Sequence, residues 1–236
     1  NNKQLSREDV VRLSASRSAE NKISTVQKLS SLYSSPNITL RERKLAEDIF
    51  RIMVEDVEVK VRQILAECLK NTKEIPQDLV IKLINDENSI SIPFIKYYQG
   101  LTNKELIDIL NAQNIDKQKA VAQRHNLSNE VSAYIVDKCP EDVVVTLISN
   151  NSANIYENTY QNIVNKYSES ENVKRCLVYR SELPVTVISK IINSLSEELQ
   201  KRLIMTHNLP NNIASDIVEQ VKEKATLRVS AEYSSD

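Results

Sequence analysis

Six short segments of this 236-residue chain share one pattern, an aliphatic residue that proline, threonine or serine follows in five of the six cases. We call these aliphatic residues anchors, and they are Ile75, Leu101, Leu127, Ile155, Leu183 and Leu209. The distances between consecutive anchors are 26, 26, 28, 28 and 26 residues. A regular period of this length indicates a repeat protein, in which each unit buries its apolar face against the next one.

Other positions agree once the anchors are aligned. The residues eight positions after the anchors are all aliphatic, namely Leu83, Ile109, Ile135, Ile163, Ile191 and Ile217. The residues nine positions after them are aliphatic as well, namely Ile84, Leu110, Val136, Val164, Ile192 and Val218. Six positions before the anchors, five of the six residues are aliphatic and Ser149 is the exception. Together with apolar residues four or five positions after the anchors, this spacing follows the period of an α-helix.

Each repeat therefore reads as two short helices. Serine and threonine are good N-cap residues and proline suits the first helical turn, so each anchor is expected to close a turn and precede a second helix. The first helices lie upstream, for example at 61–69, 173–178 and 199–205. Helices of about ten residues are marginal alone in water and need neighbours to pack against. The sequence predicts an all-α fold, an α-solenoid of HEAT-like two-helix repeats of 26–28 residues, with one compact helical bundle as the alternative.

The ends of the chain fit the repeat less well. We predict an N-terminal helical capping region at 1–58, HEAT-like repeats at 59–229 and a disordered tail at 230–236. Within the capping region, helical patterns occupy 8–13, 22–32 and 39–54, and a loop is expected at 30–37. The chain begins with Asn1 and not with methionine, and the sequence leaves open whether it is a fragment of a longer protein.

The composition narrows the chemistry. With Gly100 as its single glycine, the chain cannot form the glycine-rich loops that bind phosphates or dinucleotides, and asparagine is expected to serve in turns instead. The cysteines Cys68, Cys139 and Cys176 lie far apart and there are only two histidines, so we predict no disulfide framework and no metal site. No apolar run reaches the length of a membrane span, and we expect a cytoplasmic protein. No catalytic motif is present, so we predict a protein that is not an enzyme and has no cofactor.

Four stretches carry a resemblance to a known family. They read VRQILAECL at 61–69, AVAQRHNLS at 120–128, VVVTLISNNSANI at 143–155 and CLVYRSELP at 176–184. Through them the chain resembles a HEAT-like domain-of-unknown-function family of alphaproteobacterial proteins over roughly residues 40–220. The resemblance implies a helical-repeat fold and supplies no catalytic residue or ligand. The wider likeness to armadillo and HEAT proteins implies recognition of macromolecules, by analogy of fold.

The tyrosines are the first candidate site residues. Tyr97, Tyr98, Tyr156 and Tyr179 lie near the turns between the first and second helices, where semi-exposed aromatic rings can anchor a partner. Tyr160 falls on a core position and is expected to be buried.

Two arginines are the second set. Arg124 and Arg180 both stand three positions before an anchor, at the end of a first helix. They could line one edge of the solenoid and bind acidic peptides or phosphate groups. Alternatively, each could bind the last carbonyl oxygens of a helix, and a repeated position is what a repeated capping role produces.

From these patterns we predict a non-enzymatic interaction scaffold whose partner is another protein. A nucleic-acid-binding HEAT-like protein is one alternative, although the net charge of −1 lacks the basic excess of such proteins. A sensor of a small anionic ligand, built on Arg124, Arg180 and nearby tyrosines, is the other alternative. The oligomeric state is left open by the sequence.

Overall fold

A computed structural model describes residues 18–207 and Ser215, and within this part of the chain it contains thirteen α-helices and no β-strand. The prediction of an all-α protein is confirmed. The helices are α1 (Ala19–Tyr33), α2 (Leu40–Met53), α3 (Val59–Leu69), α4 (Gln77–Asn85), α5 (Asn88–Tyr97), α6 (Asn103–Asn111), α7 (Ile115–Ala122), α8 (Asn129–Lys138), α9 (Glu141–Ser149), α10 (Glu157–Lys166), α11 (Glu171–Tyr179), α12 (Val185–Ile191) and α13 (Glu197–Thr206). The helix predicted at 8–13, the anchor Leu209 and the tail predicted at 230–236 lie outside the described residues.

The second helix of each described repeat begins where the anchors place it. Helices α4, α6, α8, α10 and α12 all start two residues after an anchor. Thr102 shows why, because its hydroxyl accepts the backbone N–H of Glu105 while the Glu105 carboxylate accepts the backbone N–H of Thr102. Ser128 caps α8 through the N–H of Val131. Pro76 and Pro184 stand directly before the first turns of α4 and α12.

The described residues divide into two compact units, the first ending at Arg124 and the second beginning at His125. In the first unit, alternate helices pack in sequence: α1 against α3, α3 against α5, and α5 against α7. The N-terminal helices share in this packing, since α2 contacts both α1 and α3. The loop predicted at 30–37 starts later than expected, because α1 continues to Tyr33.

The second unit shows the same alternation twice. Helices α9, α11 and α13 pack one against the next, and α8, α10 and α12 do the same. We call the first set the row of first helices and the second set the row of second helices, and we use the same terms for α3, α5, α7 and α4, α6 in the first unit. Helix α8 also packs against α9, which joins the two rows.

The core contains the residues that define the repeat. All five described residues eight positions after an anchor are buried, namely Leu83, Ile109, Ile135, Ile163 and Ile191. Ser149, the exception six positions before an anchor, is exposed, and Leu147 and Ile148 are buried in its helix instead. The core positions of α9 are thus shifted toward its N-terminus.

Two turns use left-handed backbone without glycine. Asn126, just before the anchor Leu127, has a φ of 52°, as expected for an asparagine that takes the place of glycine. Gln113, after the end of α6, has a φ of 56°, and no pattern in the sequence predicts this.

Candidate functional site

The structure exposes three of the six candidate residues and buries the other three. Tyr97, Tyr156 and Tyr179 expose 47%, 59% and 52% of their surface. Tyr98, Arg124 and Arg180 are buried. The six residues therefore do not form one surface, and the exposed tyrosines have to be considered apart from the others.

Tyr97 and Tyr179 hold the same repeat position, four residues before the anchors Leu101 and Leu183. Each is the last residue of a first helix, α5 or α11. The Nζ atom of Lys70 lies 4.9 Å from the centre of the Tyr97 ring, and the Cζ atom of Arg202 lies 5.0 Å from the centre of the Tyr179 ring. Both distances are within the range of a cation–π contact. Lys70 directly follows α3, which packs against α5, and Arg202 lies in α13, which packs against α11. Each tyrosine ring therefore contacts a cation of the neighbouring first helix.

The same repeat position is exposed elsewhere. Met205, four residues before the anchor Leu209, exposes 81% of its surface, and Gln123 is exposed as well. This position therefore faces outward in each unit, and in three repeats it holds a large side chain with apolar surface. An alignment of the anchors would have found the set, since Met205 shares its repeat position with the two tyrosines.

Tyr98 belongs to the core. Its ring stacks on Phe94 with 4.9 Å between the ring centres and an interplanar angle of 15°. Burial raises the pKa of Tyr98, and the backbone of Ile75 partly offsets this effect. The ring is occupied by intramolecular packing and leaves little surface for a partner.

The two arginines bind carbonyl oxygens of the preceding repeat. Arg180 donates from Nη1 to the carbonyls of Ile148 and Asn150, both at 2.8 Å, and from Nη2 to that of Ala153 at 2.6 Å. Arg124 donates to the carbonyl of Ile95 in the last turn of α5, and burial lowers its pKa to about 10. Of the two interpretations of this position, the contacts match carbonyl binding, with the difference that the carbonyls belong to the previous first helix and the turn after it.

A groove of about 540 Å³ lies beside Arg180 in the second unit. Tyr156 stands on its rim, and Arg180 and Tyr160 are buried beneath it. The Cζ atom of Arg180 lies 5.8 Å from the centre of the Tyr160 ring. Burial raises the pKa of Tyr160, the positive charge of Arg180 lowers it, and the negative charge of Glu182 adds to the rise. The groove thus combines an aromatic rim with a polar, charged lining.

The larger groove lies in the first unit between α4 and α6, with a volume of about 690 Å³. Its apolar floor contains Ile81, Ile84 and Ile109, and Lys104 and Asp108 line it as well. Sequence reasoning missed this groove. The residue that could have indicated the groove is Ile81, because it is an isoleucine outside the repeated core positions. In the structure its side chain is 49% exposed.

Burial disfavours the thiolate form of two of the cysteines. Cys139 is buried, and desolvation raises its pKa to about 11. Cys68 is half-buried, and desolvation raises its pKa as well. Across residues 18–207, no group of three or more histidine, cysteine, aspartate or glutamate side chains is placed to hold a metal ion. None of the described helices has the length and apolar character that crossing a membrane requires.

A comparison with protein families gives one match. The model of a family described as an uncharacterised protein conserved in bacteria (DUF2336) matches residues 90–236, which is more than half of the chain. The matched region begins in α5 and includes Tyr97, Tyr179 and all residues of the second-unit groove. No curated protein and no solved structure matches the chain.

Proposed function

The chain belongs to the DUF2336 family of bacterial proteins, and from this premise we propose that it is a non-enzymatic scaffold of HEAT-like repeats that binds another protein. Two features support the repeat architecture. First helices pack on first helices within each unit, and in the second unit second helices also pack on second helices. In addition, polar side chains at equivalent repeat positions are hydrogen-bonded to each other, as from Asn114 to Asn88 at 3.2 Å and from Gln63 to Ser89 at 3.0 Å.

The observation that carries the binding function is the pair of exposed tyrosines, Tyr97 and Tyr179. A tyrosine ring brings a large apolar surface and a polar tip at a low cost in side-chain entropy, which is why such rings are enriched at binding hot spots. The contacts with Lys70 and Arg202 restrict both rings before a partner arrives. A restricted ring loses less entropy on binding than a free one. Neither ring is needed to fill the core, since about half of each remains exposed.

The proposal includes a cytoplasmic location. Cys68, Cys139 and Cys176 are all free thiols. A reducing compartment would keep them in that state.

The test is a capture experiment with matched variants. The immobilised chain would be incubated with a lysate of its source bacterium, and bound proteins would be compared by quantitative mass spectrometry among wild type, Tyr97→Ser, Tyr179→Ser and Leu40→Ser. Leu40 is 81% exposed and lies at the start of α2, so its variant removes exposed apolar surface at an unrelated position. We expect at least one protein to be lost from a tyrosine variant and retained by Leu40→Ser.

The captured protein would then be purified and its affinity measured by calorimetry. We expect a loss of about tenfold in affinity for the tyrosine variant, which corresponds to about 1.4 kcal/mol. If no captured protein depends on Tyr97 or Tyr179, the binding role proposed for these tyrosines is wrong. Binding to DNA or RNA that falls steeply with salt would favour the nucleic-acid alternative instead. Thermal stabilisation by nucleotides would favour the anionic-ligand alternative.

A further inference from the structure

We propose that the groove of the second unit binds an extended peptide segment of another protein and places a lysine or arginine of that segment against Glu182 and Tyr156. This site goes beyond the proposed function, because neither Tyr97 nor Tyr179 lines the groove and its ligand chemistry is different. The proposal rests on the size of the groove, on its amide groups and on the direction in which its charges face.

The groove lies where three consecutive turns of the second unit meet. Asn129 comes from the start of α8, Asn151 and Asn154 from the turn before α10, and Glu182 from the turn before α12. The volume of about 540 Å³ falls within the range of roughly 300–1,000 Å³ that is typical of ligand sites. A groove that crosses successive turns is suited to a ligand that extends along the repeats.

Two asparagine side chains of the groove each have one amide atom that is hydrogen-bonded and one that has no partner among the described residues. The Nδ2 group of Asn154 donates to the carbonyl of Leu127 at 3.0 Å, and no donor from the described residues reaches its Oδ1 atom. The Oδ1 atom of Asn151 accepts the backbone N–H of Ser181 at 3.0 Å, and its Nδ2 group donates to no described residue. One open acceptor and one open donor on the same turn match the N–H and C=O of a peptide backbone.

The positive charge beneath the groove is already engaged. Arg180 directs three hydrogen bonds at the carbonyls of Ile148, Asn150 and Ala153, and only 5% of its surface is exposed. It is therefore poorly placed to bind an acidic side chain of a ligand. The burial of this guanidinium removes the reason to expect an acidic peptide or a phosphate group at this groove.

The negative charge, in contrast, faces outward. Glu182 is exposed and forms no ion pair with any lysine or arginine in the described part of the chain. The exposed ring of Tyr156 lines the same groove. A carboxylate and an aromatic face both attract a cation, the first by charge and the second by its quadrupole. A lysine or arginine can in addition lay its methylene groups on the ring while its charged end reaches the carboxylate.

The experiment uses the full chain and three pools of fluorescein-labelled nine-residue peptides. The pools have random sequences except for a central residue that is fixed as lysine, alanine or glutamate, and binding is followed by fluorescence anisotropy. We expect the lysine pool to bind at least fivefold more tightly than the alanine pool, and the glutamate pool to bind least. Glu182→Gln should abolish the preference for lysine, and Glu182→Lys should reverse it in favour of glutamate.

Matched controls separate the site from general charge. Glu198→Gln removes a carboxylate from α13, outside the groove, and should leave the preference for lysine unchanged. Tyr156→Ser should lower the affinity for the lysine pool by about fivefold, whereas Tyr156→Phe should retain the wild-type affinity. Equal binding of the three pools, no binding by any of them, or a preference for lysine that survives Glu182→Gln would overturn the proposal. Because Glu182→Gln leaves Tyr97 and Tyr179 intact, such a result would not bear on the binding role proposed for each of those tyrosines.

Discussion

The ring of Tyr98 lies over Gly100, in the space that a β-carbon on residue 100 would occupy. Such a carbon would overlap the hydroxyl oxygen and the adjoining ring carbons of Tyr98. The φ of Gly100 is not positive, so an unusual backbone conformation is not what requires glycine here. The single glycine of the chain is instead explained by the close approach of an aromatic ring that is itself stacked on Phe94.

We therefore expect Gly100→Ala to destabilise the protein by about 1–3 kcal/mol, the usual cost of forcing an extra carbon into a packed site. The free energy of unfolding would be measured by urea denaturation. Tyr98→Leu should lower stability by itself, because it removes the ring that stacks on Phe94. Adding Gly100→Ala to Tyr98→Leu should then cost little, because the overlapping ring is gone. Equal effects of Gly100→Ala in both backgrounds would contradict this explanation.

Arg180 should contribute more to stability than to binding. Arg180→Ala leaves the carbonyls of Ile148 and Ala153 without their buried donor, and we expect a loss of about 3 kcal/mol. Arg180→Lys should recover only part of this loss, because an ammonium group lacks the planar fork that reaches three carbonyls. Arg175→Ala is the control, since Arg175 is exposed in the same helix and should change stability by less than about 0.5 kcal/mol. Thermal or urea denaturation would decide, and similar values for Arg175→Ala and Arg180→Ala would refute the structural role.

Much of the local structure could be predicted from the sequence because the repeat fixes it. A helix period, together with a cap or a proline after each anchor, sets the start of α4, α6, α8, α10 and α12. Ser149, the one residue that breaks the aliphatic pattern six positions before an anchor, indicates that its repeat differs, and its helix has shifted core positions. The left-handed backbone at Gln113 could not be predicted, because glutamine has no preference for that region.

The candidate site was harder to predict because exposure changes over a single residue. Tyr97 and Tyr98 are neighbours in the chain, yet the first is 47% exposed and the second 3% exposed. Tyr98, Arg124 and Arg180 share the position three residues before an anchor, and all three are buried. Aligning Tyr98 with the two arginines would have shown that it shares their repeat position and not that of Tyr97. That Arg180 binds carbonyls some 30 residues earlier depends on how helices stack, which the sequence of one repeat does not contain.

The capping box of α6 predicts a dependence of stability on pH. Partial burial works to raise the pKa of Glu105, but hydrogen bonds from the N–H and hydroxyl of Thr102 hold it below its ordinary value of 4.5. A carboxylate with a lowered pKa stabilises the fold above its unfolded pKa, and this contribution is lost as the pH falls through the folded pKa. Glu105→Gln should therefore lower the melting temperature at pH 7 and reduce the further fall between pH 5 and pH 3. Asp108→Asn, which changes a carboxylate of the same helix outside the capping box, should keep the wild-type pH dependence.

Cys139 should be the least reactive of the three thiols in the folded protein. It is 4% exposed, whereas Cys68 and Cys176 are half-buried. Because desolvation raises the pKa of Cys139 to about 11, only about a thousandth of it is thiolate at pH 8, and the thiolate is the reactive form. Labelling with iodoacetamide at pH 8, followed by peptide mass spectrometry, should modify Cys139 more slowly than Cys176. In urea that unfolds the chain, the difference should disappear. If native Cys139 reacts as fast as Cys176, the packing between α8 and α9 opens far more readily than the burial of this thiol indicates.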